Sequence, residues 1–119
     1  MTYKERTADI YKMLGQGQLL EAFDKYYAPN VVITEPRGTW EGKEACRAHE
    51  VEFLDYVKEF HNLEVKSITS DEANGIVMHE TMMDVTFQDG NRAQMEQVGV
   101  QKWEGDQIVH ERFYYNNAQ

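Results

Sequence analysis

Apolar positions recur at intervals of three and four in the first half of the chain and at intervals of two in the second. Tyr3, Ile10, Tyr11 and Leu14 share one helical face, and Gly15 and Gly17 end that helix. Leu19, Leu20, Phe23, Tyr26 and Tyr27 give a second, shorter helix a broad apolar face. Pro29 is expected to stop it, since proline lacks the N–H and crowds the preceding turn. The β-branched run Val31, Val32, Ile33, Thr34 reads as a strand, and residues 36–40 as a loop. A long helix is predicted over about 42–58, with a stripe of Cys46, His49, Phe53, Tyr56/Val57 and Phe60. Strands follow over about 61–69, 74–87, 92–103 and 107–115. Asp89-Gly90 and Glu104-Gly105-Asp106 make the hairpin turns between the last three.

The order is therefore ααβαββββ, an α+β class in one domain of 119 residues. The long helix must bury its stripe, and the concave face of the sheet is the available partner. Such packing leaves a cavity at the open end, where small ligands sit. On the second long strand His79, Thr81, Met83, Val85 and Phe87 are assigned to the inner face, because the alternate set carries more charge.

Charge narrows the partners. The net charge is −9, with 21 acidic and 12 unclustered basic side chains. That argues against nucleic acid and against an anionic membrane. Cys46 is the single cysteine, so no intrachain disulfide forms. No apolar run approaches a membrane span, and the first fourteen residues carry charges throughout, unlike a signal peptide. A cytoplasmic protein is expected.

Two stretches carry a family resemblance. One is Tyr27-Ala28-Pro29-Asn30-Val31-Val32-Ile33-Thr34-Glu35-Pro36-Arg37-Gly38 followed by Glu41-Gly42-Lys43-Glu44-Ala45. The other runs from Trp103-Glu104-Gly105-Asp106-Gln107-Ile108 through His110-Glu111-Arg112 to Tyr115. The first resembles an acidic-Pro-x-Gly loop leading into a long helix, the second a Gly-Asp hairpin with an aromatic last strand. Their order resembles the superfamily of nuclear transport factor 2, SnoaL-like polyketide cyclases and ketosteroid isomerases. The resemblance implies a cone-shaped NTF2-like (cystatin-like) roll, with a curved, mostly antiparallel mixed sheet on a long helix. It implies that Glu35 stands at the place of the general base and Tyr11 at that of the oxyanion-hole tyrosine. Gly99 stands where ketosteroid isomerases keep a second oxyanion donor, a protonated aspartate. The Arg/Asp pair of the epoxide-hydrolase branch is not found, and the SnoaL-like branch matches better. The resemblance also places Met95, Gln97, Gly99, Gln101 and Trp103 inside, together with Val109, Glu111, Phe113 and Tyr115. It further implies a homodimer through the outer sheet face, which would carry Met82, Val98, Val100 and Ile108.

These readings define a candidate pocket. Glu35 precedes Pro36 and so sits on extended, rigid backbone, which suits a base; the alternative is a solvated acid at a strand end. Tyr11 and His49 contact the ligand, or are core residues satisfied by a neighbour. Glu111 is a second pocket acid, or pairs with Arg92, Arg112 or Lys102. Glu35, Tyr11 and His49 are the catalytic candidates. Trp40, Phe53, His79, Met83, Gln97, Gln101, Trp103, Glu111, Phe113 and Tyr115 are the ligand-binding candidates. The pairs His49-Glu50, His79-Glu80 and His110-Glu111 lack metal-ligand spacing, and no His-Glu-x-x-His occurs. No metal or cofactor is expected. Three functions fit: an isomerase or cyclase acting next to a carbonyl on a small, apolar molecule, a carrier of such a molecule, or a partner-binding module.

Overall fold

The computed structural model describes residues 1–116. Its helices are α1 (Tyr3–Gly15), α2 (Leu19–Tyr26) and α3 (Lys43–Tyr56). Its strands are β1 (Tyr27–Glu35), β2 (Gly38–Glu41), β3 (Val57–Asp71), β4 (Ile76–Phe87), β5 (Arg92–Glu104) and β6 (Gln107–Tyr114). They form one six-stranded sheet in the order β2-β1-β6-β5-β4-β3. Only β1 and β6 run parallel. This is the expected α+β architecture, a mixed and mostly antiparallel sheet with its helices against one face. Among the described residues no helix is long and apolar enough to cross a membrane.

Local rules explain most of the elements. Thr2 accepts from the Glu5 N–H and Glu5 returns a bond to the Thr2 N–H, a capping box that starts α1. Helix α3 turns straight into β3, with Val57 already extended and its N–H bonded to the last carbonyls of the helix. The helix therefore ends two residues earlier than predicted. Phe60 leaves its stripe to pair with Val85 across β3–β4.

Two further expectations are corrected. Pro29 does not act as a breaker after α2: the helix has already ended at Tyr26, and Pro29 lies within β1. It falls where the β1–β6 register is irregular, between Tyr27 and Val32, so no ladder bond needs its missing N–H. The 36–40 loop shrinks to a two-residue turn, because residues 38–41 pair back onto β1 as β2.

The parity of β4 is as predicted at His79, Thr81 and Val85, all buried. In β6 the pairing jumps from Lys102↔His110 to Trp103↔Ile108, a bulge at Val109. One extra residue lets Ile108 and Glu111 both face inward. Ile108 is fully buried in the core, so it is not an outer-face residue, and Val109 is not an inner one.

The core fills the narrow end of the cone. Trp103 is its centre, stacked on Tyr3 at 5.6 Å and edge-on to Tyr26 at 5.7 Å. Ile10, Phe23, Val31, Ile33, Val77 and Ile108 close around it. The opposite end is left open.

Candidate functional site

Toward that open end, helices and sheet diverge around a cavity of about 600 Å³. Eight aromatic rings line it: Tyr11, Phe23, Tyr27, Phe53, Tyr56, Phe87, Phe113 and Tyr115. Five carboxyls also line it, Glu35, Glu50, Glu52, Glu96 and Glu111, against the single guanidinium of Arg37.

Glu35 ends β1. Tyr115 O–H donates to its Oε1 at 2.7 Å, and His49 Nε2 lies 2.7 Å from its Oε2. With a carboxylate as acceptor, the His49 Nε2–H is the donor of this bond. The Trp40 indole stacks on His49, centroids 3.7 Å apart and planes 17° from parallel, and so fixes the ring. Burial and the bond to Glu35 push the Tyr115 phenol up to about 12, which keeps it a donor.

Glu111 comes from β6 and is fully buried among neutral donors. Tyr27 O–H donates to Oε1, and Gln101 Nε2 donates to Oε2 at 2.8 Å. The Gln101 amide is oriented by Thr7 Oγ1 at 2.7 Å and Trp103 Nε1 at 3.0 Å, both donating to its Oε1. His79 Nε2 stands 3.8 Å from Glu111 Oε2, while His79 Nδ1 meets the Tyr11 hydroxyl at 3.0 Å. Burial, then the Glu111 charge, holds the Tyr11 and Tyr27 phenols well above their usual range, so both stay protonated.

Glu50 is different. It is half-buried in the cavity wall, and none of the described side chains hydrogen-bonds it. Burial, followed by the charges of Glu111 and Glu35, raises its carboxyl to about 8. In the unliganded protein it therefore holds a proton at neutral pH.

Of the residues singled out from sequence, Tyr11, Glu35, His49, Phe53, Met83, Gln97, Glu111, Phe113 and Tyr115 line the cavity. Trp40, His79, Gln101 and Trp103 do not. Trp40 lies behind His49, and His79 and Gln101 form a second layer that supports Tyr11 and Glu111. Trp103 lies in the closed end, because its strand runs past the cavity into the core. The alternative pairing of Glu111 with a cation is not adopted: Arg92 grips Asp84, Lys102 bonds the Asn74 carbonyl and Arg112 lies over the Tyr114 ring. Sequence reasoning missed Glu50 and Tyr27. Glu50 lies four residues after Cys46 and three before Phe53, so the helical period already placed it on the inner stripe. Tyr27 was assigned to the face of α2, whereas it opens β1.

Among the described residues no cluster of three or more His, Cys, Asp or Glu side chains has the arrangement of a metal site.

Comparison with known proteins places this geometry in context. Residues 1–115 match the family model of the SnoaL-like domain. No curated protein matches the chain. Among solved structures, a candidate SnoaL-like polyketide cyclase from Mesorhizobium loti is 29% identical, with 97% of this chain and 100% of that one covered and a TM-score of 0.82. An NTF2-like protein of unknown function from Burkholderia pseudomallei is 18% identical, with 99% and 94% covered and a TM-score of 0.83. A candidate isomerase from Bacillus subtilis is 15% identical, with 99% and 91% covered and a TM-score of 0.84. The last two show a shared fold.

Proposed function

Since the chain belongs to the SnoaL-like domain family, we propose that its cavity binds a small, largely apolar carbonyl compound and moves a proton at the carbon beside the carbonyl, as an isomerase or cyclase does. The observation that carries this reading is the Glu35–His49 pair on the cavity wall, 2.7 Å apart and steadied by Tyr115 and Trp40. A carboxylate tied to an imidazole beside an apolar space is a proton acceptor with a defined direction. Removing a proton beside a carbonyl also requires stabilisation of the oxygen, where negative charge develops. Tyr11, neutral and facing the cavity, is the donor for it. For its O–H to point at a ligand, His79 must keep its proton on Nδ1 and donate to the phenol oxygen.

Replacing Glu35 by Gln keeps the shape and removes the base. A screen of carbonyl compounds by thermal shift, followed by turnover of the hits, is the test. Binding is expected to survive in the Glu35→Gln protein while turnover falls about 10²–10⁴-fold. Equal turnover removes Glu35 from the mechanism.

Gly99 supports a second reading. Position 99 supplies no side-chain donor to accompany Tyr11, as suits a carrier that holds the same compound without reacting. Hits that bind tightly and never turn over in the wild-type protein decide for the carrier.

The outer sheet face is proposed as a homodimer interface. Val98 pairs directly with Tyr114 there and Met78 with Val100, and Met78, Val98 and Tyr114 are exposed. Light scattering at high micromolar concentration is expected to give twice the monomer mass, and Val98→Lys to give the monomer.

A further inference from the structure

We propose that the cavity selects a ligand carrying an ammonium group, tertiary or quaternary, and that Glu50 is its counter-ion. This names the substrate class for the cavity invoked above and rests on that cavity being the ligand site.

One carboxyl of the cavity wall, that of Glu50, is unmatched. A carboxyl enclosed in an apolar wall loses its water and needs a partner. Of the neighbouring acids, buried Glu111 has donors on both oxygens, and Glu35 likewise. Glu50 has none from the described residues, and its free side faces the space a ligand fills.

The protein's own cations do not answer it. Arg92, Arg47 and Lys25 are bound to Asp84, Asp24 and Asp9 on the outside. Among the described residues no lysine lines the cavity, and Arg37 is its one guanidinium. Glu35, Glu50 and Glu111 therefore give the inner wall an excess of acid over base that a cationic ligand would neutralise.

The walls suit the same group. Aromatic faces attract a cation through their quadrupole, more strongly where water is excluded. Tyr11 on α1, Tyr27 on β1 and Phe53 on α3 line the same cavity as Glu50. A neutral carbonyl compound uses these walls only as apolar surface and leaves the acid excess unopposed.

Protonation gives the inference a second signature. The groups acting on Glu50 are Glu35 of β1 and Glu111 of β6, and its own charge bears on Tyr11, Tyr27 and Cys46. A bound cation opposes the first two and lets Glu50 ionise. Since the empty site holds that proton up to about pH 8, binding below that value releases it. Affinity should rise with pH, by up to about tenfold per unit, and level off above that value.

The probes are benzyltrimethylammonium, which cannot itself titrate, and its uncharged isostere neopentylbenzene. Isothermal titration in buffers of different ionisation enthalpy reads affinity and proton release together, and NMR shifts follow the sparingly soluble isostere. The cation is expected to bind at least about tenfold more tightly than the isostere at pH 7, releasing a proton. Glu50→Gln should lose at least that factor for the cation, abolish the proton release and leave the isostere unchanged. Equal affinity for the two probes, an unaltered Glu50→Gln protein, or no binding of the cation at millimolar concentration overturns the proposal. Turnover plays no part in the measurement. A negative result with Glu35→Gln leaves this inference standing, and its own failure leaves the proton-transfer reading standing.

Discussion

Replacing Glu50 by Gln is expected to make the protein more stable, and increasingly so as the pH rises. The folded-state pKa of Glu50 is about 8, against 4.5 for an unperturbed glutamate. Between those values the folded chain binds a proton that the unfolded chain has lost. Stability therefore falls as pH rises through that window, and is level below it and above it. Glutamine resembles the protonated acid in shape and has no proton to lose. The variant should match the wild type near pH 4, exceed it by about 3 kcal/mol at neutral pH and by up to about 5 kcal/mol above pH 8. Denaturant unfolding of both proteins from pH 4 to 9 provides the test. A constant difference across that range means that Glu50 does not carry the proton. The same experiment guards the ligand proposal, because loss of cation binding in a stabilised variant is not a folding defect.

Gly99→Ala is expected to be among the most damaging single-methyl additions in this chain. Gly99 lies directly opposite His79 in the β4–β5 ladder, and the imidazole lies across the space its side chain leaves. A Cβ there would be 2.3 Å from His79 Cε1 and 2.4 Å from Nε2. The ring cannot swing away cheaply. It is buried, bonded to the Tyr11 hydroxyl at 3.0 Å and edge-on to Phe113 at 6.2 Å. Overpacking of this kind should cost about 3 kcal/mol, or roughly 10 °C in Tm. In a His79→Ala background the same change should cost almost nothing, because the obstruction is gone. A double-mutant cycle measures the difference, and equal costs in both backgrounds would show that the imidazole is not what Gly99 accommodates. For Tyr11, the glycine that supplies no second donor also gives His79 the room to reach the phenol.

The sequence alone determined the family and every element but β2. Helical spacing of apolar residues and Asp-Gly or Gly-Asp at the hairpins are local rules, read one turn or one residue pair at a time. They were enough for the order of the other elements along the chain and for the inner face of β4. Helical periodicity put His49 where a cavity would be, and the family resemblance put Glu35 and Glu111 there. Sequence could not place the bulge at Val109, since one extra residue in a ladder is invisible without its partner strand, and that bulge decided that Ile108 belongs to the core. Nor could it separate the cavity wall from the layer behind it. Trp40, His79, Gln101 and Trp103 face inward like their neighbours, but how far each strand runs before the sheet closes decides which touch a ligand. Glu50 was passed over because a charged residue on an apolar stripe reads as solvated. Only the approach of β1 and β6, from 15 residues before it and 61 after, removes its water and sets two like charges beside it. Burial and charge at a site are sums over everything folded around it, and that sum exists only in three dimensions.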